Sequence, residues 1–182
     1  LINDGAGGFS VDASFPGGSA DTHAVAMGDV DGDGDLDLLS GNWDGANELL
    51  INDGLGGFSV DGSFPGGTAV TTAVAMGDVD GDGNLDLLIG NEFSVDELLL
   101  GDGLGGFSVD GSFPGESVVT KAVAMGDVDG DGDLDLLIGR EQKANQLLAY
   151  MHCPDGGARL HAASACFACL PFMGRGGVDV CT

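Results

Sequence analysis

The chain is poor in positive charge: Lys and Arg together number 5 against 30 Asp and Glu in 182 residues, a formal net charge of −25. A surface so short of cations cannot neutralise phosphates, which excludes nucleic acid and anionic membrane surfaces as partners. Aromatic residues make up only 6% of the chain, with a single Trp and a single Tyr, whereas glycine reaches 35. That balance marks a turn-rich chain and not an ordinary helical protein. No apolar run approaches the ~20 residues that span a bilayer, so no membrane insertion is expected. Neither an initiator Met nor a signal peptide opens the chain, which starts at Leu1 inside a repeat and reads as part of a longer chain or assembly.

The charge and the cysteines occupy different regions. Residues 1–152 hold 28 of the 30 acidic residues and 3 of the 5 basic ones, and therefore all of the net charge. Cys153, Cys166, Cys169 and Cys181 all lie beyond that point. The boundary falls near Tyr150 to Cys153, giving a repeat region over 1–152 and a Cys-rich tail over 153–182. An acidic region of this density self-repels when compact, and a bound metal is the simplest neutraliser.

One period runs through the first region. Gly28, Gly77 and Gly126 each open the phrase GDVDGDG, followed by Asp or Asn and then LDLL, at intervals of 49 residues. Leu1 to Asp4 recurs at Leu50 to Asp53, and GGFSVD recurs from Gly7, Gly56 and Gly105, so the units are 1–49, 50–98 and 99–147 plus the end of the last strand. A period of this length indicates a solenoid, a propeller or an array. Within a unit the apolar stretches AVAM, LDLLIG, ELLL and FSVDGSF are of strand length and bounded by Gly, Asp, Asn or Pro. No 3.6-residue apolar stripe competes with them. The expected fold is all-β: tandem four-stranded β-propeller blades, a partial propeller of about three, with a small loop-rich tail. The third unit is expected to lose its last strand, because FSVDGSF has no counterpart after Leu148.

Between the first and second strands of each unit lies an acidic loop. It contains Asp29, Asp31, Asp33, Asp35 and Asp37; then Asp78, Asp80, Asp82, Asn84 and Asp86; then Asp127, Asp129, Asp131, Asp133 and Asp135. Carboxylates stand at loop positions 1, 3, 5 and 9, and alternate Asp side chains in a tight loop can turn onto one centre, as the 6–8 oxygen ligands of Ca2+ require. Gly34, Gly83 and Gly132 at position 6 permit the reversal. Position 7 is expected to offer its backbone carbonyl, which lets Asn84 replace Asp. Crowded carboxylates repel without a cation, so about three structural Ca2+ ions, one per repeat, are expected to couple to folding. The loops are not EF-hands, since position 12 is Ser40, Ile89 or Ile138 instead of a bidentate Glu.

These loops match D-x-D-x-D-G-x-x-D in full three times, and in that respect residues 1 to about 150 resemble FG-GAP or VCBS-type repeats, the calcium-bearing blades of integrin-α-like β-propellers. The resemblance implies Asp29, Asp31, Asp33, Asp37 and the backbone of Asp35 as ligands, with their counterparts in the other two loops. The Phe-Gly pair of that family occurs here only as Gly-Gly-Phe. Three blades do not close a ring, so the chain belongs to a longer propeller, an open array or an assembly with further copies.

Variation among the copies falls in the loop after the second strand: Asn42 to Asn47, Asn91 to Asp96 and Arg140 to Asn145. In a propeller this loop emerges opposite the acidic loops, and variable faces of repeat proteins often bind partners. Trp43, Phe93 and Arg140 are the candidates for recognising a protein or glycan, with Trp43 alternatively capping a blade edge. His23, His152 and His161 are isolated, and no nucleophile elbow or metal-hydrolase motif is present, so the chain is not expected to be an enzyme. In the tail a single C-x-x-C pair leaves two readings, a zinc site or a small disulfide module of the kind found in extracellular receptors. The combined expectation is a calcium-binding extracellular or cell-surface segment for adhesion or ligand recognition. An accessory region of a secreted hydrolase or lyase, or a structural spacer, is the alternative.

Overall fold

A computed structural model describes residues 2–3, 5–152 and 158–162. All regular structure among them is β-strand. A short pair, β1 (Ile2–Asn3) and β2 (Phe9–Ser10), precedes three four-stranded antiparallel sheets. The first sheet contains β3 (Thr22–Gly28), β4 (Asp37–Asn42), β5 (Glu48–Asn52) and β6 (Phe58–Val60). The second contains β7 (Val70–Gly77), β8 (Asp86–Glu92), β9 (Glu97–Gly101) and β10 (Phe107–Val109). The third contains β11 (Thr120–Gly126), β12 (Asp135–Arg140), β13 (Gln146–His152) and β14 (Ala158–Ala162). In each sheet the strands lie side by side in chain order, as in the blades of a partial propeller.

Two details depart from the sequence expectation. The third sheet does have a fourth strand: Ala158–Ala162 pairs with β13 from Leu148↔Ala162 to His152↔Ala158, although its sequence shares nothing with FSVDGSF. Edge pairing needs only backbone groups, which any sequence without proline supplies. The fourth strands are also shorter than expected, ending after FSV. Asp61 and Asp110 terminate them by accepting the backbone N–H of Ser63 and Ser112 at 2.9 and 2.8 Å, a local turn that displaces the sheet ladder. The first and second four-stranded sheets each take strands from two adjacent copies of the period, since β5 and β9 run across residues 49–50 and 98–99.

The sheets stack, with β7 packed between β3 and β11. The middle sheet is covered on both faces, which is why β8 carries the apolar run Leu87–Ile89 and is buried from Asp86 to Asn91. Leu39 of the first sheet meets Leu87, Ile89 and Leu99 of the second. Leu88 and Leu98 on the reverse face meet Leu136, Ile138 and Leu148 of the third. A bulge follows Thr71 in β7 and Thr120 in β11, shifting the alternation so that the Thr shares a face with Val74 or Val123.

The junctions are knobs set against glycine. A Cβ added to Gly90 would lie 2.6 Å from Thr120 Cγ2 and 3.0 Å from Val123 Cγ1, and Gly41 stands in the same relation to Thr71 and Val74. Gly90→Ala is therefore expected to destabilise the chain by about 1–3 kcal/mol through overpacking, measured by denaturant unfolding. Polar links reinforce these junctions: Asn47 Nδ2 donates to Thr71 Oγ1 at 2.9 Å, and Thr120 Oγ1 donates to Asp96 Oδ2 at 2.9 Å.

Candidate metal centres

Each acidic loop joins the first and second strands of its sheet, and its own carboxylates organise it. At position 1, Asp29 accepts the N–H of Gly32 at 2.8 Å and of Gly34 at 3.0 Å. Asp78 does the same with Gly81 and Gly83, and Asp127 with Gly130 and Gly132. Those bonds require the tight reversal expected of the loop, and Gly34 has φ +95°, a region costly for residues with a Cβ. Position 3 accepts the N–H of position 5, as Asp31 does from Asp33 at 3.2 Å. Position 5 accepts the N–H of position 7, as Asp33 does from Asp35 at 2.9 Å.

Position 9 has a second task. Asp37 Oδ2 accepts the Val30 N–H at 2.9 Å and Oδ1 accepts the Asn52 N–H at 2.8 Å, so one buried carboxylate ties the loop to the third strand. Asp86 makes the same pair with Val79 at 2.7 Å and Gly101 at 2.9 Å. Asp135 accepts the Val128 N–H at 2.8 Å. The spacing pattern marks position 9 as an acidic ligand candidate but carries no trace of this bolt, because Asn52 and Gly101 lie 15 residues away.

Three groups of carboxylates place ligand oxygens within 4.8 Å of one another: Asp29, Asp31 and Asp33; Asp78, Asp80 and Asp86; Asp127, Asp129 and Asp135. Each group could hold a metal ion. Asp37 in the first loop, and Asp82 and Asp131 in the others, are not drawn into these groups. At position 7 the side chains of Asp35 and Asp133 also stand outside them, and Asn84 Nδ2 donates to Asp82 Oδ2 at 2.9 Å. A carboxylate that accepts one or two N–H bonds keeps lone pairs for a cation, and an all-oxygen set suits a hard ion over zinc or copper.

Position 3 is the electrostatic centre of each loop. Loss of hydration raises the Asp31 carboxyl above its ordinary value, and the charges of Asp33, Asp37 and Asp29 push it further. Asp80 and Asp129 are raised for the same leading reason. A raised carboxyl holds its proton to higher pH when folded than when unfolded, so in the metal-free chain its contribution to stability declines as pH rises through the carboxylate range. Combined Asp31→Asn, Asp80→Asn and Asp129→Asn substitution is therefore expected to raise the melting temperature in chelator at pH 7. The gain should vanish at pH 3, where the carboxyls are protonated.

The loops after the second strands lie at the opposite ends of the sheets, adjoining the segments before the first strands through Trp43 N–H to Asp21 O at 2.7 Å and Glu141 N–H to Val119 O at 2.9 Å. Trp43 is part-exposed and stacks on His23 with ring centroids 4.7 Å apart. Phe93 is 74% exposed and held at φ +63°, an outlier for a bulky residue. Arg140, expected on the surface, is instead 3% exposed at its side chain, where it bonds Glu116 at 3.2 Å and contacts Gln146. Glu116 also pairs with Lys143, and these cations lower its carboxyl. His152 and His161 stand on β13 and β14, opposite Ala158 and Ala149. The four cysteines, and with them the disulfide and zinc readings, lie outside the described residues.

Residues 29–89 match the FG-GAP-like repeat family, and residues 120–146 match the FG-GAP repeat family. No curated protein matches the chain. Repeats of this family are typical of extracellular and surface proteins, and among the described residues no helix is long and apolar enough to cross a membrane. The two matched segments contain all three acidic loops, so the repeats of this chain are FG-GAP-type repeats.

Proposed function

We propose that this chain is a calcium-binding, non-enzymatic extracellular module whose bound ions are structural and whose opposite face recognises a protein or glycan. The observation that carries the metal assignment is the threefold recurrence of carboxylate oxygens lying within 4.8 Å of one another on a self-bonded loop. An all-oxygen set of aspartates on a tight loop suits a hard ion that takes 6–8 oxygen ligands, as Ca2+ does. In each loop the aspartates at positions 1 and 3, Asp29 and Asp31 and their counterparts, supply side-chain oxygens, and the position-7 backbone carbonyl completes the sphere with position 5 or 9.

Recognition is assigned to the Trp43 face. An exposed indole already stacked on His23 is rigid, and rigid amphipathic rings contribute contact area at low entropic cost. Titration calorimetry is expected to show about three sites of roughly 10⁻⁴–10⁻³ M, the range of extracellular modules. Submicromolar affinity would contradict the assignment. Glycan-array and pull-down screens in calcium should give binding that Trp43→Ala removes while the calorimetric sites persist; a chain that binds nothing in either buffer is a spacer.

A further inference from the structure

The two ends of the sheet stack are complementary halves of the junction found twice inside it. At the junction of the first and second sheets, Met76 and Leu85 fill the space above Gly28, and Thr71 and Val74 fill that above Gly41. At the next junction Met125 and Leu134 stand over Gly77, and Thr120 and Val123 over Gly90. The knobs always come from the later sheet and the hollows from the earlier one. The first sheet carries the same knobs with nothing to enter: Val25 is 73% exposed, Met27 66% and Leu36 53%.

The third sheet carries the corresponding hollow. Among the described residues no atom lies within 4 Å of a Cβ added at Gly126, and the nearest atoms to one at Gly139 belong to the strand partner Ala122. Leu137 is 46% exposed, although Leu39 and Leu88 at the same position of the other sheets are 1% and 0% exposed. The third acidic loop is open on the same side: Val128 is 62% exposed where Val30 and Val79 are 2% and 1% exposed. Val30 is covered by the turn after β9, whose Gly105 N–H donates to its carbonyl at 3.2 Å. The residue one period before Gly105 is Gly56, in the turn after β5 of the first sheet.

We propose that the exposed knob face of the first sheet docks on the exposed hollow of the third sheet of a second copy of this chain, in a head-to-tail contact. Met27 and Leu36 of one copy enter above Gly126 of the other, Val25 enters above Gly139, and the Gly56 turn covers Val128. The second copy is selected by continuity with the internal junctions, since it repeats their knobs, hollows and order. Ser40 stands where Ile89 and Ile138 fill the internal junctions, so the contact has a weaker apolar centre and is reversible. Because the two faces differ, the interface is heterologous, extending to a ring or an open chain of copies. The inference does not depend on what the acidic loops bind.

The test is sedimentation velocity of the full chain over a wide concentration range in calcium-containing buffer, alone and as variants. Mass should rise with concentration. Met27→Asp spoils the knob and Gly126→Phe fills the hollow, so each variant alone should remain monomeric, whereas an equal mixture should form a dimer and stop there. Leu36→Glu and Leu137→Glu give a second such pair should either first variant fail to fold. Monomer at every concentration up to about 1 mM overturns the proposal, because a contact weaker than that carries no assembly. Self-association of one variant alone, without rescue on mixing, overturns it in favour of a symmetric contact.

Discussion

Stripping divalent ions from this chain is expected to lower its melting temperature by roughly 15–30 °C relative to the same chain in about 10 mM calcium. The direction follows from the loops. Each binds together carboxylates that loss of hydration and mutual repulsion already disfavour as anions, and Asp31, Asp80 and Asp129 register that cost in their raised carboxyls. The magnitude follows from linkage: an ion that binds only the folded loop at 100 times its Kd adds about 2.7 kcal/mol, so three loops add about 8 kcal/mol. For a chain of this size each kcal/mol moves the midpoint by about 2–4 °C. Scanning calorimetry with chelator and with graded calcium measures the effect directly. Equal melting in the two buffers would remove the structural role of the ion, whatever the loops bind.

Replacing Asp86 by Ala is expected to destabilise the chain by about 2–5 kcal/mol even in chelator, because the Val79 and Gly101 N–H groups both lose their acceptor and each unpaired buried donor costs about 1–3 kcal/mol. Asp80→Ala should behave differently. Its carboxylate accepts the Asp82 N–H at 3.1 Å and its contacts stay on the loop itself, so without metal its removal relieves repulsion and costs little. In calcium the same variant should lose much of the ion-dependent gain of its loop. Denaturant unfolding of both variants in both buffers separates a carboxylate that holds the sheet from one that holds the ion. An Asp86→Ala chain as stable as the parent in chelator would show that the bolt is not structural.

Much of the candidate metal site is legible from one nine-residue phrase because its bonds are local. Asp29 reaches Gly32 and Gly34, Asp31 reaches Asp33, and Asp33 reaches Asp35, all within five residues. The strands are legible for the same reason: apolar runs of fixed length between Gly and Asp breakers specify β4, β8 and β12 wherever they occur. Position 9 was only half legible. Its acidic character is plain, but its role as a tie to the third strand depends on the register Gly28↔Asp37 and on where β5 falls beside β4. The links Asn47 to Thr71 and Asp96 to Thr120 recur one period apart, and comparison of the polar positions between copies would have found them.

Arg140 shows how a surface expectation fails. It occupies the place of Asn42 and Asn91, and a long cation in a variable loop suggests a binding residue. Glu116, 24 residues earlier, takes one side of its guanidinium and Gln146 contacts the other, so the side chain is withdrawn from solvent. Phe93 remained exposed as expected, but only its backbone at φ +63° reveals that the loop holds it there.

The sequence by itself determined the period, the first three strands of each sheet and the acidic loops, since these rest on backbone geometry and on hydrogen bonds between near neighbours, whereas the fourth strand of the third sheet shares no sequence with its counterparts. The tertiary structure alone decided which of three near-identical copies is buried. Leu39, Leu88 and Leu137 occupy one position of the period, yet the first two are enclosed and the third faces solvent. Burial is a property of the sheet packed against a residue, and repeats that look alike in sequence differ only in whether a neighbouring sheet stands over them.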